Sequence, residues 1–78
     1  MKLPEYITTE LGDTYKIADI KNDFFILESN PYLYSYNIVT NDFTWIREGM
    51  IVPAGLKAKD NNKYIDWLSE YNKTKPSN

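Results

Sequence analysis

Short alternating runs of apolar and polar residues occupy most of the chain, and a three- and four-residue spacing replaces them near the end. Thr14–Ile20 reads as a strand, with Tyr15 and Ile17 on one face and Ala18 and Ile20 on the other. Lys21-Asn22-Asp23 turns the chain. Phe24–Glu28 follows as a second short strand, apolar on both faces and so expected to be central or covered. Ser29-Asn30-Pro31 breaks it. Leu33–Thr40, an Asn41-Asp42 link and Phe43–Glu48 then predict a central β-hairpin, because Asn and Asp tolerate the positive φ of a two-residue turn. Pairing Thr40 with Phe43 sets Ile38 opposite Trp45 and Tyr36 opposite Arg47.

That register gives the hairpin one face of Tyr34, Tyr36, Ile38, Phe43 and Trp45, a ladder of cross-strand aromatic and β-branched pairs. The face is either core or a docking surface. The other face, Ser35, Asn37, Val39, Thr44, Ile46 and Glu48, is mixed. Gly49 ends the hairpin, and Met50–Pro53 adds an edge strand closed by Pro53 and Gly55. From Asp60 the spacing is helical: Tyr64, Ile65, Leu68 and Tyr71 or Asn72 form a stripe that Trp67 widens. Asp60 is a suitable N-cap, Lys73 and Lys75 suit the C-terminal end, and Pro76 stops the helix.

These elements predict an α+β fold: a small antiparallel meander of about four strands, with one C-terminal helix across a face. One domain over residues 1–78 is expected, with an extended N-terminal arm at 1–13, a β-rich part at 14–53, a helix at 59–73 and a tail at 74–78. Pro4 and Gly12-Asp13 are what make the arm read as extended.

Composition narrows the chemistry. Cysteine and histidine are absent, which removes disulfides, thiolate sites and the usual zinc ligands. A chain of 78 residues buries little surface for its size, so docking or oligomerisation is the remaining route to extra stability. Seven Tyr, three Phe and two Trp suit both a core and an interface. The net charge of −2 is divided, with an acidic excess before Met50 and a basic excess after it. This asymmetry is too mild to imply nucleic acid. No apolar run approaches the length of a membrane span, and the first residues lack the apolar core of a secretory signal, so an intracellular setting is expected.

Catalytic motifs fail one by one. No nucleophile stands in a Gly-x-Ser-x-Gly setting, and Gly12, Gly49 and Gly55 are too dispersed for a phosphate loop. Asp19 and Asp23 read as solvated surface charge. The stretch from Asp60 lacks the glycine and the glutamate of a calcium loop, since Ile65 and Tyr71 stand there. Asn72-Lys73-Thr74 matches a glycosylation sequon, which carries little weight without a secretory signal. Lysines 57, 59, 63, 73 and 75 flank Tyr64 and Trp67, but the helical spacing of the aromatics favours core with a solvated rim over a single-strand binding patch. The chain is therefore read as a non-enzyme without cofactor, metal or membrane partner.

One resemblance remains. The run Asp60-x3-Tyr64-x2-Trp67-Leu68-x-Glu70-x-Asn72-x3-Pro76, with Pro53 upstream, resembles a segment near the C-termini of bacteriophage tail-fibre and tail-associated proteins. Ser69 stands where that segment has Ala, Tyr71 where it has Gly, and Lys73-Thr74-Lys75 precedes the proline. The hairpin wording from Tyr34 to Trp45 is similar to short β-rich modules of such proteins. The resemblance implies a virion structural component, a minor tail, baseplate or fibre-associated protein. Such a protein would be assembled in the host cytoplasm and held by contacts with other virion chains or copies of itself. It carries over no catalytic residue. Tyr32, Tyr34, Trp45, Trp67 and Tyr71 are the expected interface anchors. The alternative is a small phage-encoded inhibitor that binds and blocks a host enzyme or defence protein.

Overall fold

The structure, a computed structural model, describes residues 2–74. Lys75 and Pro76, expected to end the helix, lie outside the described residues, as does the tail beyond Thr74. Six strands and one helix follow in order: β1 (Tyr6–Thr8), β2 (Thr14–Lys21), β3 (Phe24–Leu27), β4 (Ser35–Asn37), β5 (Asp42–Arg47), β6 (Met50–Pro53) and α1 (Asn61–Thr74). The strands form one antiparallel sheet in sequence order. The fold is α+β with a C-terminal helix, but with six strands rather than about four.

Two of the differences arise at the ends of the sheet, one from a local pairing and one from a pairing distant in sequence. The expected N-terminal arm contains β1, whose Ile7 pairs with Tyr15 and is fully buried. Lys57–Lys59 runs beside Thr8–Glu10, so Lys59, expected to open a helix over 59–73, lies outside α1 and the helix starts at Asn61. The Glu10 amide donates to the Lys57 carbonyl at 2.9 Å, and the Lys59 amide to the Thr8 carbonyl at 2.9 Å. This contact draws the far end of the chain back onto β1, so the sheet curls and encloses a core on its concave side.

A bulge in β2 corrects the expected faces of that strand. Ala18 and Asp19 together oppose Ile26, between the Ile17–Leu27 and Ile20–Phe25 pairs. Two residues against one shift the alternation, so Ile20 joins Ile17 on the inner face. In β3 only Phe25 and Leu27 are buried, while Phe24 and Ile26 face outward and are partly covered.

The β4–β5 register also differs from expectation. Tyr36 pairs with Phe43, Ser35 with Thr44 and Asn37 with Asp42, which leaves Ile38–Asn41 as the connection. The physical reason is a polar network that pins this loop. The Tyr36 hydroxyl donates to Asn41 Oδ1 at 2.7 Å and accepts from Asn61 Nδ2 at 2.6 Å. Asn41 Oδ1 also accepts from the Ala58 amide at 3.0 Å, and Asn61 Nδ2 also donates to the Ile38 carbonyl at 3.1 Å. Hairpin, closing segment and helix start are thus tied by groups that would otherwise lack partners.

Burial raises Tyr36 to about 12, against the hydrogen bond from Asn61, which lowers it. Desolvation also raises Tyr64, with the Thr8 amide working the other way. The sign follows from linkage: unfolded tyrosine ionises near pH 10 while folded Tyr36 stays neutral, so its contribution is complete below pH 10 and is lost as pH rises toward 12. Urea denaturation is expected to show stability falling by about 2 kcal/mol across that window from Tyr36 alone.

The β5–β6 turn is Glu48-Gly49, both at positive φ (53° and 77°), as a type I′ turn requires. Glycine suits this conformation, whereas glutamate is strained by it. Glu48→Asn is expected to raise stability by about 0.5–1 kcal/mol, read as a higher urea midpoint at unchanged slope.

Asp60 caps α1, its Oδ1 accepting from the Lys63 amide at 3.4 Å. The helix lays Tyr64, Trp67, Leu68 and Tyr71 toward the sheet, whereas Ile65, expected in the stripe, points outward at 41 % exposure. At 3.6 residues per turn Ile65 stands about 100° from Tyr64. Phe25 is the meeting point of helix and sheet. Its ring lies 5.8 Å from Tyr64, 5.3 Å from Trp67 and 6.3 Å from Tyr36.

Candidate interaction surface

The sheet's concave side is filled unevenly. Helix α1 covers the part built on Phe25 and Tyr36. At the other end lies an open cleft of about 400 Å³ lined by Tyr15, Pro31, Tyr32, Leu33, Trp45, Ile46, Arg47, Ala54 and Leu56. No helix residue contributes to it. Tyr15 comes from β2, Trp45 and Arg47 from β5, Ala54 and Leu56 from the segment after β6, and Pro31–Leu33 from the β3–β4 loop.

That loop is held in a defined shape by Asn30. Its Oδ1 accepts from the Tyr32 and Leu33 amides, each at 2.8 Å, and its Nδ2 donates to the Glu28 and Leu33 carbonyls at 3.0 and 2.9 Å. An Asx side chain that satisfies its own loop on both sides leaves Pro31 and Tyr32 at the tip. Tyr32 is accordingly 70 % exposed, although nothing in the loop forces it to solvent except this geometry.

On β5, Phe43 enters the core at full burial, and Trp45, two residues on, is only partly buried at the cleft. The Arg47 guanidinium carbon lies 3.9 Å from the centroid of the Trp45 ring. Arg47 forms no ion pair among the described residues. Tyr15 links cleft to core, its ring 6.4 Å from Phe43. Burial, then Asp13 and Tyr32, push the Tyr15 hydroxyl above its ordinary pKa, so it keeps its proton further into the alkaline range.

The five expected anchors part company. Tyr32 and Trp45 share the cleft. Tyr34 stands between two surfaces: it lines a groove with Tyr32, Leu33 and Ile46, and it borders the convex side beside Phe24, Ile26, Ser35 and Ile51. There the Ser35 and Thr44 hydroxyls bond each other at 2.6 Å, a satisfied polar pair under an apolar surface. Trp67 and Tyr71 stack on each other at 4.9 Å and pack against the core, and Trp67 Nε1 donates to the Lys2 carbonyl at 2.9 Å. The hairpin's aromatic face is thus divided, with Tyr36, Ile38 and Phe43 in the core and Trp45 at its open margin.

Sequence reasoning missed Tyr15 and Arg47 as members of this surface and Asn30 as its organiser. The Ser29-Asn30-Pro31 run was a usable signal, since Asn before Pro commonly sets such a turn.

Among the described residues no group of three or more carboxylate side chains gathers as a metal site, and no helix is long and apolar enough to cross a membrane. Comparison with protein-family models, curated proteins and solved structures finds no match for this chain.

Proposed function

We propose that the chain is a bacteriophage virion structural component, a minor tail, baseplate or fibre-associated protein that acts through protein–protein contacts. The observation that carries the reading is the open aromatic cleft, where Tyr32, Trp45 and Arg47 are held in place yet unused by the core. Rigid aromatic side chains and arginine are the residue types that dominate binding energy at protein interfaces. Ile46, exposed on the same strand, extends the apolar lining of this cleft. The phage setting rests on the resemblance of Asp60–Pro76 to tail-associated segments.

Mass spectrometry of gradient-purified particles from a phage encoding the chain tests the reading. The chain is expected at a fixed ratio to the major tail protein. Its absence from the particles overturns the virion assignment, and a stoichiometric soluble complex with one host protein would then identify an inhibitor.

A further inference from the structure

We propose that the cleft binds an extended, proline-containing segment of a partner protein, with a carboxylate of that segment against Arg47 and a basic group toward Asp13. The proposal deepens the interaction reading above and rests on it.

Three observations select this occupant. First, the strands that frame the cleft offer only short open edges there: β2 pairs with β3 from Ile17 onward, so Tyr15 is paired with β1 alone, and β5 pairs with β4 only through Thr44, so Trp45 and Arg47 are paired with β6 alone. Stretches this short hold few ladder hydrogen bonds, so a ligand in the cleft is held chiefly through side chains. Second, those side chains are rings and small apolar groups, with Tyr15, Tyr32 and Trp45 as walls over Leu33, Ala54 and Leu56. A polyproline II segment has no internal hydrogen bonds and presents ridged apolar rings that fit between aromatic walls, with its carbonyls free to accept from a group such as the Tyr15 hydroxyl.

Third, the charges are arranged as a complement. Tyr15, Pro31 and Tyr32 also line the adjoining groove that contains Asp13, Lys16 and Glu28. Lys16 and Glu28 pair with each other at 3.8 Å, which leaves Asp13 without an ion pair among the described residues. One uncompensated acid and one uncompensated base therefore stand at opposite wings of a single aromatic surface. A nucleic-acid strand would meet the acid unfavourably and find only one arginine for its phosphates. A segment carrying both signs around its prolines meets each wing with the opposite charge.

The test uses the unmodified chain and a blocked synthetic peptide, Lys-Pro-Pro-Ala-Pro-Pro-Glu, followed by proton–nitrogen NMR. Saturable shifts are expected at the Trp45 indole, Tyr32 and Tyr15, with the Trp67 indole unmoved. Exchanging the peptide's Glu for Lys is expected to weaken binding roughly tenfold, and Arg47→Glu to reverse that preference. Tyr32→Ala, at an exposed loop tip, is expected to remove the response while the chain stays folded. No saturable shift, or shifts centred on Trp67, would overturn the proposal, as would affinity indifferent to Arg47→Glu. Failure of the peptide with the chain still present in particles refutes this ligand class alone. Peptide binding with the chain absent from particles refutes the virion reading alone.

Discussion

Replacing Phe25 by alanine is expected to lower the melting temperature by on the order of 20 °C, the largest effect of any single side chain in the fold. Phe25 is fully buried and is the one ring that touches Tyr36 on the sheet and both Tyr64 and Trp67 on the helix. Its removal costs the transfer free energy of the ring and leaves a void that two rigid elements cannot close, about 3–5 kcal/mol together. A domain of this size has roughly 4–12 kcal/mol in total, at about 0.05–0.15 kcal/mol per residue. The variant should therefore unfold at much lower urea with little change in slope. A shift of only a few degrees would show that helix and sheet are not joined through this residue.

Removal of the helix should be more severe. A chain ending at Lys59 loses Tyr64, Trp67, Leu68 and Tyr71, and it exposes Phe25 and Tyr36. Each buried aromatic hides about 150–250 Å², worth on the order of 4–6 kcal/mol at about 25 cal/mol per Å². Loss of two or three such contributions exceeds the whole stability of a domain this small. Asn61 goes with the helix, so the Tyr36 hydroxyl and the Ile38 carbonyl lose a partner as well. The truncated chain is expected to lack near-ultraviolet circular dichroism and dispersed methyl resonances. Retention of a cooperative unfolding transition would mean that the sheet stands without its helix.

Much of the fold was legible wherever the cause is local. The cap at Asp60, the spacing of Tyr64, Leu68 and Tyr71, the turn at Asn22 and the break at Gly49 are set by side chains within a few residues of each other. The errors fall where a distant group decides. Asn41-Asp42 has the wording of a two-residue turn, yet Tyr36 and Ala58 capture Asn41, Asn61 holds Tyr36 in turn, and the register moves. The bulge at Ala18 and the closure by Lys57–Lys59 likewise depend on partners that no short window contains.

The candidate surface shows the same division. Tyr32 and Trp45 are legible as candidate anchors from their residue type, and both line one cleft. Tyr15 and Arg47 carried no comparable signal, because they join the cleft only once the sheet has curled. Trp67 and Tyr71 looked equally suited to a partner or to the core. Their stacking, and the bond from Trp67 to Lys2, direct them inward.

On the reading proposed above, a partner meets this protein at the cleft end and not on its helix. Photo-crosslinking in particles assembled with the chain tests it most directly, with a benzophenone amino acid placed at Tyr32 or at Ile65, both exposed. A discrete crosslink to another virion protein is expected from position 32 and none from position 65. A crosslink from position 65 alone, or from neither position in particles that contain the chain, would contradict it.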